Sequence, residues 1–513
     1  MQCGIYFKSE MKTTIALGRL SSNENHFCDN NPGFGNNRIE EPSVFSDIKT
    51  KYGILAGRTE NNLVKEGVLV LLQYVVSNFK SIGHPVEFSM FPVQAMADDR
   101  FFKSLPTKNG AWKVLRRGGF FGPNASGKSS FIKSIAFARD FIVDGQKSGK
   151  GIRIDQFKGD FEELKGISTF QFVFYLNEEV YEYGFSVDRY QVHEEWFMQL
   201  AKKGFIPLFT RVTDNVGKTE IDIESKFARR DSKERELAEL LKESIQENQR
   251  NQLFLYKLHD NGIKKAEKIV AWFQNLQIIF PESKIRALPI RMKADIELRA
   301  YIGDMLRKMD TGVFDISVAS REIDFHDFAE KLQVPQELIE DIEDIRNGIV
   351  NFAGKYFIFA ENKKKRTVLV QLKFTHKLNE KPVQFDIDEE SDGTQRLLDL
   401  LPMLFAMRED SHAIYFVDEI DRSLHTKLSQ YLLNEFMDCC ENTYNQIIFT
   451  AHDVNLININ DFKQEEIWFI EKNNLGESRL RPFSDFNLRE GQDVLKAYLS
   501  GRFGAIPMIR RDF

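Results

Sequence analysis

The spacing of apolar positions changes several times along this 513-residue chain. Residues 1–66 show little periodicity and are rich in Asn, Ser and Gly, so they read as a poorly ordered extension. From Val70, the run Val-Leu-Leu-Gln-Tyr-Val-Val predicts a strand, with Val86–Met90 as its hairpin partner. Trp112–Leu115 predicts a short strand ahead of a Gly/Ser-rich turn, and Ser130–Arg139 carries helical spacing behind that turn. Phe170–Leu176 and Tyr181–Val187 read as paired antiparallel strands. Between 224 and 350 the pattern becomes charged and helical, at 229–245, 263–278, 291–309 and 335–348. No heptad seam is sustained there, so no long coiled coil is expected. Strands return at Tyr356–Phe359 and Thr367–Phe374, and a helix at Leu397–Met407, which Pro402 is expected to kink. Two apolar runs, at 413–417 and 447–451, read as buried strands. The pattern divides the chain into the extension 1–66, half of an α/β core at 67–223, a helical insert at 224–350 and the second half of the core at 351–513.

The turn is the most informative stretch. Residues 122–129 read Gly-Pro-Asn-Ala-Ser-Gly-Lys-Ser, which fits G-x-x-x-x-G-K-[ST]. Only backbone N–H groups can surround a polyphosphate closely, and Gly122 and Gly127 allow that approach. Asn124, Ala125 and Ser126 complete the cradle, Lys128 reaches the β and γ phosphates, Ser129 holds Mg²⁺, and Ser130 follows at the helix start. The run at 413–417 ends in Asp418-Glu419. Asp418 is a candidate Mg²⁺ ligand, and Glu419 a candidate general base or positioning group for water. His452 stands at the tip of the second run, where it can contact a γ-phosphate or be no more than a satisfied polar residue. Ser391, Asp392 and Gly393 precede the helical stretch at 397. They form either an anion site at a helix start or a simple N-cap. ATP and Mg²⁺ are the expected ligands.

Composition narrows the classes. A net charge of −6 argues against general nucleic-acid affinity. Four cysteines, Cys3, Cys28, Cys439 and Cys440, make no disulfide framework, and no Cys/His cluster points to zinc. No apolar run approaches the ~20 residues that span a bilayer, and no secretory signal is evident. A cytoplasmic location with no membrane partner is expected. Lys363-Lys-Lys-Arg366 is a solvated hairpin tip or a phosphate-backbone contact. Arg321 and His326 have the R-x4-H spacing of some ribonucleases, with a helix-start salt bridge as the plainer reading.

The Ser391–Gly393 stretch resembles the signature motif of ABC-type ATPases, in which one subunit caps the ATP held by another. Other stretches are similar to stand-alone, SMC-like ABC ATPases of the AAA family found in abortive-infection and anti-phage operons, as in Septu, PARIS and AbiL- or RloB-associated systems. These are Val76-Ser-Asn-Phe-Lys-Ser81, Tyr181-Glu-Tyr-Gly-Phe185, Glu194-Glu195-Trp196, Asp392-Gly-Thr-Gln-Arg-Leu397, Asp418-Glu-Ile-Asp-Arg-Ser-Leu-His425 and Gly501-Arg-Phe-Gly-Ala-Ile-Pro507. Pro123 departs from the alanine of many members. The resemblance implies an α/β ABC/SMC-like P-loop ATPase head with an antiparallel β subdomain and a helical insertion, opened by an edge strand at Val70–Ile82. It also implies a homodimer or higher oligomer closed by an ATP sandwich, with Asp421 coupling the two sites. Either Gln156 or Gln171 would sense Mg²⁺. The expected partner is an effector nuclease, HNH or TOPRIM-like, and the trigger DNA or a phage protein. The alternative is a RecF- or SMC-like clamp acting directly on DNA.

Overall fold

The computed structural model describes residues 67–92, 100–324 and 348–486, apart from 109, 148, 160–165, 215, 286, 353–354, 361–365, 410–411 and 458–461. The extension 1–66, His326, the 335–347 helical pattern, Lys363–Lys365 and Gly501–Pro507 lie outside the described residues.

The mixed α/β class is found. One sheet has the order β11-β17-β18-β5-β19-β20. Its strands are β5 (Arg117–Phe121), β11 (Leu276–Ile279), β17 (Ile414–Val417), β18 (Gln446–Ala451), β19 (Ile467–Lys472) and β20 (Ser478–Pro482). All its neighbours are parallel except β19 and β20. Strands β5 and β18 are buried along their whole length, which is why they read as continuous apolar runs or carry glycine.

A second, seven-stranded sheet is antiparallel throughout, in the order β10-β9-β8-β7-β6-β1-β2. It contains β1 (Leu69–Ser77), β2 (Val86–Ser89), β6 (Ser168–Leu176), β7 (Glu179–Val187), β8 (Val192–Ala201), β9 (Gly204–Thr213) and β10 (Thr219–Ile223). Helix α1 (Lys128–Val143) packs on both sheets: Phe131 meets Phe120 of β5 at 4.7 Å and Tyr74 of β1 at 5.5 Å between ring centroids. Gln446, the first residue of β18, joins the sheets. Its amide accepts from the Leu71 N–H and donates to the Leu71 and Leu115 carbonyls.

A ribbon of β3 (Phe102–Thr107) and β4 (Gly110–Leu115) lies beside these sheets in the chain order. Helices α2 (Lys233–Asn248), α3 (Phe254–Asp260), α4 (Lys264–Gln274), α5 (Leu288–Ala294) and α6 (Ile296–Lys308) follow the antiparallel sheet. A third sheet comprises β12 (Val313–Ile323), β13 (Gly348–Phe352), β14 (Lys355–Ala360), β15 (Arg366–Leu378) and β16 (Lys381–Phe385). Helices α7 (Asp392–Glu409) and α8 (Thr426–Cys439) flank β17 in sequence.

Three expectations need correction. The strand entering the turn is β5, whereas Trp112–Leu115 belongs to β4 and pairs with β3. Strand β5 hides in the sequence because it begins with Arg117 and two glycines. Arg117 is buried, bonded to Glu466 at 3.1 Å and stacked 3.5 Å from the Phe462 ring centroid. Gly118 and Gly119 are required because a Cβ there would come within 2.9 Å of the Phe88 ring and 2.7 Å of the Phe449 ring. Second, β1 is interior; β2 takes the edge. Third, the stretch 224–350 is helical only in part, since β11 inside it joins the parallel sheet beside β17 and β12 forms a long strand. The helix expected at Leu397–Met407 is found as part of α7, which continues through Pro402.

Candidate functional site

Ligands of open α/β sheets bind beyond the carboxyl ends of the parallel strands. The loops after β5, β17 and β18 meet there. After β5 the chain forms the turn 122–127 and enters α1. Gly122 allows a close approach, since a Cβ would run into the Ile470 carbonyl. Gly127, at φ +114°, has no room for a side chain either: a Cβ would collide with Ser478 and come 2.8 Å from the Ser81 hydroxyl. Ser478 buttresses the turn by donating to the Ser126 carbonyl at 2.6 Å. Asn124 and Ala125 are exposed at its tip, and Ala125 is left-handed at φ +61°. No side chain caps α1 and no acidic residue occupies its first turn. Its N–H groups and positive dipole end are therefore available to an anion.

Lys128 lies under the turn, 4% exposed. Its ammonium donates to the Gly122 carbonyl at 2.6 Å and the Pro123 carbonyl at 3.1 Å. Burial brings its pKa down to about 8, against the upward pull of Asp421, Asp418 and Glu419. A buried cation with two carbonyls in hydrogen-bond contact and no carboxylate bonded directly to it is poised for an anionic ligand.

After β17, Asp418 is 1% exposed and its Oδ1 accepts from Thr450 Oγ1 at 2.6 Å and Ser129 Oγ at 3.2 Å. Glu419 is left-handed at φ +48°, a strain of about 1–2 kcal/mol for a residue with a Cβ. Its Oε1 lies 3.4 Å from His452 Nε2, while His452 Nδ1 lies 3.2 Å from Lys128 Nζ. Asp421 Oδ2 accepts from the N–H groups of His452, at 2.8 Å, and Asp453, at 2.6 Å. Lys128, Ser129, Asp418, Glu419, Asp421 and His452, spread over more than 300 residues of sequence, thus share one site. Ser130 is half-buried in the first turn of α1.

These residues fit a magnesium–nucleotide complex. Ser129 Oγ and Asp418 Oδ1, 3.2 Å apart, would supply the hard oxygen donors that Mg²⁺ takes, directly or through water. The glycine cradle and the uncapped helix suit a polyphosphate.

Ser391 and Gly393 sit at the start of α7. The Ser391 hydroxyl accepts from the Thr394 N–H at 3.1 Å, so it caps the helix. It remains exposed to solvent. Gly393 packs on the turn after β17, where a Cβ would come 2.9 Å from the Ser423 carbonyl. Gln171 lies within β6, paired between β1 and β7. Gln156 lies in the irregular segment tied to Lys80 through Asp155, and donates to the Gly166 carbonyl. Neither glutamine bonds to the turn.

Two site residues escaped sequence reasoning. Thr450 holds both Asp418 and the Glu419 N–H, the latter at 2.8 Å; its only signal was a hydroxyl inside an apolar run. Arg396, buried on α7, donates to the Asp418 and Glu419 carbonyls.

Among solved structures, the chain is similar to SMC heads. The SMC head domain from Thermotoga maritima is 12% identical, with a TM-score of 0.33, over 80% of this chain and 98% of that one. An SmcHead bound to the C-winged helix domain of ScpA is 10% identical, with a TM-score of 0.37, over 80% and 97%. The Smc head domain with an extended coiled coil bound to the C-terminal domain of ScpA, from Pyrococcus furiosus, is 12% identical, with a TM-score of 0.33, over 85% and 100%. No curated protein matches the chain. The family described as "AAA domain, putative AbiEii toxin, Type IV TA system" matches residues 119–458, from the strand before the phosphate loop to the segment after His452. That span holds the whole site and more than half of the chain, and the chain therefore belongs to this AAA-domain family.

Proposed function

We propose that this chain is a Mg²⁺-dependent, ABC-type ATPase that works as a dimer in the cytoplasm and controls an effector nuclease, HNH or TOPRIM-like, in anti-phage defence. The observation that carries the ATPase reading is the convergence of Lys128, Ser129, Asp418, Glu419 and His452 at the ends of three adjacent parallel strands. The effector reading rests on the toxin–antitoxin description of the family and on the abortive-infection resemblance.

ATP is the substrate. The N–H groups of the turn and of α1 hold its β and γ phosphates, with Lys128 between them. Ser129 and Asp418 hold Mg²⁺, which when bound neutralises charge on the phosphates. Glu419 accepts a hydrogen bond from the attacking water and takes its proton as oxygen bonds to the γ-phosphorus and the bond to ADP breaks. His452, between Glu419 and Lys128, stands where departure of the γ-phosphate changes its contacts. Ser391 and Gly393 of a second copy close over the same phosphate, with Asp421 coupling the two sites.

Phosphate release tests the chemistry. Wild-type protein should hydrolyse Mg·ATP; Glu419→Gln should bind ATP but turn over on the order of 100-fold more slowly, and Lys128→Ala should lose binding. Co-expression with neighbouring reading frames tests the role. A nuclease recovered with the ATP-bound Glu419→Gln protein supports it; an ATP-bound dimer that retains DNA and no nuclease points to the DNA clamp.

A further inference from the structure

We infer that Arg396 is a positioning residue that sets the direction of the Glu419 carboxylate from the signature helix α7. The inference rests on the ATPase reading of the site. Arg396 is 4% exposed and faces three main-chain carbonyls. Its Nη2 donates to the Asp418 oxygen at 3.0 Å and the Glu419 oxygen at 3.1 Å, and its Nη1 to the Phe280 oxygen at 3.2 Å. Phe280 directly follows β11 and Asp418 directly follows β17, and these neighbouring strands are further joined by the Asp418 N–H to the Ile279 carbonyl at 2.8 Å. The guanidinium therefore clamps the carboxyl ends of two core strands to one helix. A planar fork spans several acceptors in this way, whereas an ammonium is a point charge.

The two peptide groups that flank Glu419 are each held at both ends. The 418–419 peptide has its oxygen on Arg396 and its N–H on Thr450 Oγ1 at 2.8 Å. The 419–420 peptide has its oxygen on Arg396 and its N–H on the Thr450 carbonyl at 3.0 Å. Arg396 and Thr450 grip the residue from opposite sides, and between them Glu419 adopts φ +48°. Such a conformation persists only when its surroundings over-determine it. The Glu419 oxygen also accepts from the Arg422 N–H at 3.1 Å, so the Asp418 oxygen is the one that depends on the guanidinium; with that grip released, the 418–419 peptide can rotate and the carboxylate turns with it. Lys128, Ser129 and Asp418 Oδ1 do not touch Arg396, so the nucleotide cradle should be unaffected. The sequence places Arg396 five residues after Ser391 on the same helix, so the group that orients Glu419 moves with the start of α7.

The test uses the full chain, with ATP turnover at saturation, nucleotide affinity measured separately, and melting with and without Mg·ATP. Arg396→Ala should lower kcat on the order of 100-fold, as a misplaced catalytic group does, with nucleotide affinity unchanged within about twofold. Arg396→Lys should recover part of that loss. The decisive comparison is in the Glu419→Gln background: a residue that acts through the Glu419 carboxylate has little left to do there, so adding Arg396→Lys or Arg396→Ala should change the residual single-turnover rate by less than about twofold. Wild-type kcat in both single variants overturns the inference, as does a loss equally large in the Glu419→Gln background or a parallel fall in nucleotide affinity. If Arg396→Ala does not fold, the lysine variant in the two backgrounds decides. An inactive wild-type protein would instead overturn the ATPase reading itself.

Discussion

Lys128 illustrates how a binding group is held ready at the expense of stability. Burial makes its charge costly in the nucleotide-free protein, and two loop carbonyls and nearby carboxylates offset that cost only in part. Its folded pKa of about 8 lies below the ordinary 10.5. Between those values the unfolded chain binds more protons than the folded one, so stability rises with pH across that window. Below pH 8 the full cost applies, about 3 kcal/mol at 1.36 kcal/mol per pH unit. Lys128→Met should therefore melt higher than wild type at pH 7 without nucleotide, and the difference should shrink as pH climbs from 8 towards 10.5. A difference that stays constant over that range, followed by calorimetry, would show that charge burial is not what Lys128 costs. Saturating Mg·ATP should stabilise wild type and leave Lys128→Met unchanged.

At the scale of elements, Gln446 links pieces that the chain keeps far apart. Its buried amide satisfies the Leu71 N–H and the Leu71 and Leu115 carbonyls, tying β1 and β4 to β18. Each buried backbone group left without a partner costs about 1–3 kcal/mol. Gln446→Leu keeps comparable bulk but loses all three bonds, so unfolding in urea should show a stability loss of about 3 kcal/mol or more, read as a lower midpoint at unchanged slope. A midpoint within error of wild type would mean that the two sheets are held by the aromatic packing of α1 alone. The same β18 carries Thr450 and ends at Ala451, next to His452, so one strand anchors the sheet junction at one end and the site at the other.

For the whole molecule, the question is whether one head suffices. Ser391 is exposed at the start of α7 and its hydroxyl caps the helix within its own chain. A cap that also reaches another copy's phosphate must stay accessible, and it does. In the Glu419→Gln background, Mg·ATP should double the mass seen by light scattering. Adding Ser391→Arg should abolish that doubling while ATP still binds each monomer. Loss of a cap costs ~1 kcal/mol, too little to unfold a chain of this size, so the two effects separate. Doubling that survives Ser391→Arg would remove this helix start from the interface. No described helix is long and apolar enough to cross a membrane.

The phosphate loop, the Asp418-Glu419 strand end, the strand leading to His452 and the antiparallel pair β6–β7 were all legible in the residues, because each is specified over a few neighbouring positions. Glycines let a backbone approach a polyphosphate, and buried strands read as apolar runs. The meeting of Lys128, Asp418 and Glu419 was expected from these motifs together, whereas the burial of Lys128 was not read from them. What required the tertiary structure depends on partners far away in sequence. Arg117-Gly118-Gly119 becomes a core strand only because Glu466 and Phe462 receive its guanidinium and the Phe88 and Phe449 rings fill the space where side chains would be. Leu276–Ile279 leaves a helical neighbourhood because β17 offers it a parallel edge. Strand β1 is interior because β2 and β6 pair on either side of it. Arg396 and Thr450 acquire their roles only when α7 and β18 bring them to the two faces of Glu419. Local sequence determined which groups could bind and cleave a nucleotide; long-range pairing, set by burial and by the need to satisfy every buried polar group, decided how they are aimed.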